Sequence, residues 1–277
     1  MGKVVLAGDN ALALWRQGKD AWNAWIAENP EADIDFSYVD FIEERERPSF
    51  DGFHFGYGDI SFISTIFGNR EVTFDEATFK SKLIKFTDIK FINNGISFNK
   101  AIIDCHSILF QNTEFNGNYV DFTETEFLCN TVLYHGVTFN NRSLIFNNTF
   151  LNIDTIYFFN VKFNGDLIYM KTYTNSEITI LFHNMVIKNG SLNIIQEINH
   201  DTIFDIDSSH FGGPVDIKLT GKSPIFMSFQ RSRFDASLSL KGKMDCIADF
   251  RLSKISHHLD ISEFRPCLKR ITPKPWI

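Results

Sequence analysis

Phenylalanine recurs at Phe50, Phe55, Phe62, Phe67, Phe74, Phe79, Phe86, Phe91 and Phe98, at spacings that alternate between five and seven residues. Ile103 takes one beat, and Phe110, Phe115, Phe122, Phe127, Tyr134, Phe139, Phe146, Phe158 and Phe163 carry it on. A fixed period of twelve held this long leaves few folds open, because each unit is too small to bury its own apolar face and must stack on its neighbours. With 30 Phe beside 7 Tyr and 4 Trp, the chain is filling a dry, repetitive core.

The residues around the beat define the unit. Two before each long-gap ring stands a branched aliphatic: Ile60, Val72, Ile84, Ile96, Ile108, Val120, Val132, Leu144, Ile156. Two before the short-gap ring stands something small or branched: Thr65, Ala77, Ile89, Ala101, Thr113, Thr125, Val137, Val161. Residues i−2 and i share one side of an extended backbone, so each unit offers two short inward-facing strands joined by corners. Asn93–Asn94–Gly95, Asn116–Gly117–Asn118, Asn140–Asn141 and Asn164–Gly165 follow the rings, and Asn and Gly tolerate the left-handed backbone of tight corners. A five-residue gap is too short for a hairpin, which favours a parallel β-helix over an antiparallel meander.

Beyond residue 168 the beat loosens, with Met170, Ile180, Phe182, Ile187 and Ile194 only partly in phase. A second pattern follows: Ile206-x-x-Ser209-x-Phe211 aligns with Phe229-x-x-Ser232-x-Phe234 and Phe250-x-x-Ser253-x-Ile255. Its two offsets, each close to a pair of twelve-residue units, make a full turn of about 22–24 residues, and nine or ten turns would give a rod about 45 Å long.

The first thirty residues stand outside the repeat. Asp9 or Asn10 can cap a helix carrying Leu12, Trp15, Trp22, Trp25 and Ile26 on one face, which Asn29–Pro30 stops. Three tryptophans need a large apolar surface, and the open first coil supplies one, so residues 1–30 are expected to cap a solenoid spanning 31–264. The run Glu43–Glu44–Arg45–Glu46–Arg47–Pro48 is expected to be a solvated loop. Residues 265–277, with three prolines, are expected to be a linker or boundary.

Several classes are disfavoured by composition. A net charge of −7 argues against a nucleic-acid backbone as partner. Cys105, Cys129, Cys246 and Cys267 form no CxxC pair, so no zinc or redox motif is encoded. Cys105 and Cys129 lie two twelve-residue units apart and are expected to stack as buried filler on neighbouring coils. Neither a signal peptide, nor a myristoylation pattern, nor a run of eighteen apolar residues is present. The expectation is a cytoplasmic protein without a membrane span.

Segments such as Ala77-Thr78-Phe79, Ile96-Ser97-Phe98-Asn99-Lys100 and Val120-Asp121-Phe122-Thr123-Glu124 resemble the units of pentapeptide-repeat proteins, over roughly residues 12–264. The stretch from Leu14 to Trp25 resembles the helix that often precedes such repeats. The resemblance implies a right-handed, four-sided parallel β-helix. This chain departs from the pattern by inserting two residues at every second unit, 5+7 instead of 5+5.

For function, inward residues spent on packing leave the outer faces and the ends. The leading expectation is a non-enzymatic protein-interaction, scaffolding or sensor rod without a cofactor or metal. Its partner would be a protein, or a second copy met through an uncapped C-terminal end; that end could also lead into a further module. From Lys218 onward 12 Lys/Arg stand against 5 Asp/Glu. The candidate contact surface there is Arg231, Arg233, Lys241, Lys243, Arg251 and Lys254. Two alternatives are weighed: a DNA-mimicking inhibitor of type II topoisomerases, as the resemblance allows, and a polysaccharide-binding β-helix using Asp205 and Asp207, or Asp121, Glu124 and Glu126. The paired histidines His257 and His258 read as solvated corner residues.

Overall fold

The computed structural model describes residues 3–42, 44, 46–92, 95–221, 223, 225–242, 245–261 and 265–266. Their strands run in parallel throughout, in a sheet of 22 strands and a second of 8. Over most of the rod each turn spans two twelve-residue units, and consecutive turns stay in register, as in Phe86↔Phe110↔Tyr134↔Phe158. The fold is a parallel β-helix of about ten turns behind a small N-terminal helical cap.

One turn passes through four faces. Face I comprises strands such as 107–111, face II the two-residue strands such as Glu114–Phe115, face III strands such as Tyr119–Asp121, and face IV strands such as 126–129. Each face contributes one ring of the beat. The five-residue gaps join I to II and III to IV; the seven-residue gaps join II to III and IV to I. The twelve-residue unit is therefore half a turn; rings of faces I and III meet edge-on, as Phe110 and Phe122 do at 77°, those of adjacent faces are tilted, and on faces I and III they stack on their counterparts above and below. On face I, Phe86, Phe110, Tyr134, Phe158 and Phe182 lie 4.7–5.0 Å apart at 2–12° between planes. On face III, Phe50, Phe74, Phe98, Phe122 and Phe146 lie 4.7–5.0 Å apart. Each buried ring contributes about 2–3 kcal/mol before entropy is counted.

The loosened beat after residue 168 is a change of side chain and not of geometry. Met170 lies in register with Phe146, Phe182 with Phe158, Ile187 with Phe163 and Ile194 with Met170. Flexible or branched aliphatics replace rings while the coil continues. A register shift between Asn147 and Thr149 is local, and the register recovers at Thr155↔Thr179; the coil shortens only later, where Leu192 pairs with Val215 and Ile225 with Cys246.

Left-handed backbone sits elsewhere than the Asn–Gly clusters suggest. It falls inside the five-residue gaps, at Ser64, Glu76, Asp88, Lys100, Asn112, Glu124, Gly136, Asn148 and Asn160, with φ between 49 and 65°. The following residue often secures the corner. The hydroxyls of Thr65, Thr113, Thr125 and Thr149 donate to the carbonyls of Phe36, Phe86, Phe98 and Phe122 on the preceding turn, at 2.7–3.0 Å. The Asn–Gly clusters occupy the II-to-III corners for other reasons. The Asn164 amide donates to Asn140, and that of Asn140 to Asn116, at 2.7 Å each. A Cβ on Gly165 would come 1.9 Å from the Asn141 carbonyl oxygen, so glycine there serves close stacking of backbones. Asn93 and Asn94 lie outside the described residues.

The cap is two helices and a strand, where the tryptophan spacing reads as one helix. Strand β1, Val5–Ala7, pairs in parallel with β2, Asp33–Asp35, extending face I by one rung. Helix α1 is Gly8–Trp15 and α2 Lys19–Glu28; Gly18, at φ 87°, separates them. Neither Asp9 nor Asn10 caps α1, whose N-cap is Ala7. Trp22 is fully buried against Phe36, Phe53 and Phe55. The indoles of Trp15 and Trp22 donate to Ser49 and His54 carbonyls at 2.8 and 2.9 Å. Asn23 donates to the Gly52 carbonyl and accepts from the His54 amide. The cap thereby covers the end of the core and satisfies edge groups of the first turn. Of the charged run, Glu44 takes Arg16 and Arg47 takes Glu71; Glu43 and Arg45 lie outside the described residues.

Cys105 and Cys129 are register partners, buried and unoxidised, with sulfurs 2.8 Å apart. Their mutual hydrogen bond, then burial, pushes the Cys105 thiol far above the usual range. Cys267 and most of 265–277 lie outside the described residues.

Candidate recognition face

Face I strands alternate strictly, so that ring residues point in and the residues between them point out. Their in-register stacking builds three outward columns. The central one reads Lys85, Leu109, Leu133, Tyr157, Leu181 and Asp205 and ends at Ser228 and Asp249, which are buried. On its N-terminal side stand Ser107, Thr131, Thr155, Thr179, Ile203, Phe226 and Ile247; on the other, Gln111, His135, Phe159, His183 and Asp207. Leu109, Leu133, Tyr157 and Leu181 form an apolar file over four turns, and Ile203, Phe226 and Ile247 continue it one column over for three more. The last three are 43%, 40% and 37% exposed. His135 and Phe159 pack 5.2 Å apart beside the file.

A polar cluster interrupts the file where it changes column. The Tyr157 hydroxyl lies 3.0 Å from His183 Nδ1, and His183 Nε2 lies 3.0 Å from Asp205 Oδ2. Arg231 donates to both oxygens of Asp207, through Nε at 2.9 Å and through its terminal nitrogen. That hydrogen bond holds the Asp207 carboxyl below the usual range. Burial, then the charges of Asp205 and Asp207, push the Tyr157 hydroxyl up. Leu181, Ile203, Phe226, Asp205, Asp207 and Arg231 surround a shallow depression of about 230 Å³. Beside it, Asp154, Glu177 and Asp201 line another of about 300 Å³ with Thr155, Thr179 and Ile203. Among the described residues, Asp154, Glu177 and Asp201 make no ion pair.

The basic surface expected from the sequence is spread over the rod. Arg231 and Leu252, the latter following Arg251, occupy left-handed corners between faces I and II. Arg233 and Lys254 are register partners on face II, and Lys241 stands on face III opposite Lys218. Three of these cations are engaged within the protein: Arg231 with Asp207, Arg233 with Asp235 at 2.6 Å, and Arg251 with Asp249 at 2.7 Å. Arg233, then His210, holds the Asp235 carboxyl down at about 2. Lys243 lies outside the described residues. The acidic set Asp121, Glu124 and Glu126 does not converge: Asp121 accepts from Thr123 on face III, Glu124 forms a left-handed corner and Glu126 opens face IV. Asp205 and Asp207 do share face I, with Arg231 on Asp207 and His183 on Asp205. His257 and His258 are exposed.

A cleft of about 600 Å³ separates the cap from the first turn, lined by Trp15, Lys19 and Asp51 among others. Its Arg16 and Arg47 are spent on Glu44, Glu71 and Asp51. Among the described residues no cluster of three His, Cys, Asp or Glu could hold a metal ion, and no helix is long and apolar enough to cross a membrane. The apolar file escapes a reading centred on the rings, although Leu109, Leu133, Tyr157 and Leu181 recur once per turn, each just before a ring.

No family model, curated protein or solved structure matches the chain.

Proposed function

We propose that this protein is a non-enzymatic recognition rod, akin to the pentapeptide-repeat proteins it resembles, which holds a protein partner against face I. One observation carries the reading: an apolar file of seven outward side chains, one per turn from Leu109 to Ile247, of which Leu109, Leu133, Tyr157 and Leu181 are half-buried and Ile203, Phe226 and Ile247 exposed, on a sheet whose inner row already buries the rings. Water-facing strands otherwise favour polar residues, and a contiguous exposed apolar run marks an interaction surface. On face III the outward column Asp121, Ile145, Tyr169, Asn193 breaks after two apolar residues. The Tyr157–His183–Asp205 and Arg231–Asp207 pairings fix polar groups at the middle of the file, where they give orientation to a docked surface.

A photo-crosslinking residue at Leu133, compared with one at Asp216 on face III, tests this in living cells. A discrete adduct is expected from position 133, to disappear when Leu181→Glu is added. Equal adducts from both faces, or none from position 133, would overturn the proposal.

A further inference from the structure

The file also constrains the partner's shape and charge. We propose that the occupant of face I is a basic amphipathic α-helix lying nearly along the rod axis. This rests on face I being the binding face.

Shape comes from the spacing of the rungs. Successive turns of a parallel coil lie about 4.8 Å apart, and an α-helix advances about 5.4 Å per turn. Apolar residues at i, i+4, i+7 and i+11 thus recur about every 5.5 Å and stay within about 2 Å of the rungs over four turns. An extended strand laid the same way repeats on one face about every 6.8 Å and is about 4 Å out of register by the second rung. The step of the file from the Leu181 column to the Ile203 column asks for a shallow tilt, which a straight helix accommodates. Six rung spacings, about 29 Å, match about 20 helical residues.

Charge comes from the flanks. Asp154, Glu177 and Asp201 border the file on one side, and Asp205 and Asp207 on the other. Arg231 pairs with Asp207 and His183 lies 3.0 Å from Asp205, while Asp154, Glu177 and Asp201 make no ion pair among the described residues, so the lower half of the face is electronegative around its apolar centre. Lysines or arginines beside the apolar stripe of a helix would meet these carboxylates, whereas an acidic helix or a phosphate backbone would be repelled.

The test uses the full chain and three labelled synthetic peptides of about 20 residues. One is a Leu/Lys helix with Leu at i, i+3, i+4 and i+7; one has the same composition shuffled to remove the stripe; one carries Glu for Lys. Fluorescence anisotropy should show the first binding at least about tenfold more tightly than the others. The double variant Leu133→Glu/Leu181→Glu should lose about tenfold for the Leu/Lys helix. The triple variant Asp154→Asn/Glu177→Gln/Asp201→Asn should lose about threefold and flatten the salt dependence. Ile145→Glu on face III, equally outward and adding one charge instead of two, should leave binding unchanged. Shuffled and amphipathic peptides binding alike, or Ile145→Glu weakening binding as much as the face I variant, would overturn the inference. If Leu133 cross-links a partner in cells while the Glu helix binds as well as the Lys helix, the helix inference falls and the recognition reading stands.

Discussion

Tyr134 is the one ring in the face I ladder to carry a hydroxyl. It is fully buried, stacked 4.8 Å from Phe110 and 4.7 Å from Phe158, and its oxygen has no hydrogen-bond partner among the described residues. A hydroxyl taken out of water without compensation costs about 1–3 kcal/mol. Tyr134→Phe keeps the ring, both stacking contacts and the neighbouring turns, so the change should recover about 1–2 kcal/mol of that cost, or a melting point about 2–8 °C higher. Circular dichroism with thermal and urea unfolding at pH 7 measures it. The pH dependence provides a second check. Burial pushes the Tyr134 hydroxyl well above its ordinary value, so the folded state holds the proton more tightly than the unfolded chain. That contribution is whole below about pH 10 and is lost as the unfolded chain ionises above it. The gap between the variant and the native chain should therefore widen above about pH 10. Equal or lower stability of the variant at pH 7 would show that the hydroxyl is satisfied, and the reasoning would fail.

Three further outcomes follow from the packing. Phe122→Ala, which empties a place between Phe98 and Phe146 at 5.0 and 4.9 Å, should cost about 3–5 kcal/mol in urea unfolding; an unchanged curve would remove the rings from the core. Lys100→Gly should stabilise by about 0.5–1 kcal/mol, because Lys100 sits at φ 56°, where a side chain costs more than the added freedom of glycine. Urea unfolding of that variant measures it, and a loss of stability would contradict the corner assignment. The thiols of Cys105 and Cys129 should resist a disulfide reagent in the folded protein and react in urea, since both are buried and the hydrogen bond to Cys129, then burial, disfavours the Cys105 thiolate; rapid labelling of the native chain would contradict this.

The core and the coil could be read along the chain. A ring or branched aliphatic every five and seven residues can be buried together only by winding, so the parallel β-helix, its inward rows and the cap that its tryptophans require were all legible there. Even the pairing of Cys105 with Cys129 followed from two twelve-residue units per turn. What lies between the rings emerged only in the folded coil. Gly165 is explained by the Asn141 carbonyl of the preceding turn, and the left-handed corners of the five-residue gaps fall on residues as unlike glycine as Glu76, Lys100 and Glu124. Gly18 splits the cap into two helices, and β1 joins the sheet before them. The outward face was illegible for the same reason the core was legible. Tyr157, His183, Asp205 and Asp207 lie 22 to 26 residues from their partners in the next turns, and become adjacent only once turn length and register are fixed. Core rows repeat because stacking rewards identity, whereas outer rows carry no such rule, and their chemistry emerges only when the turns are laid one upon another.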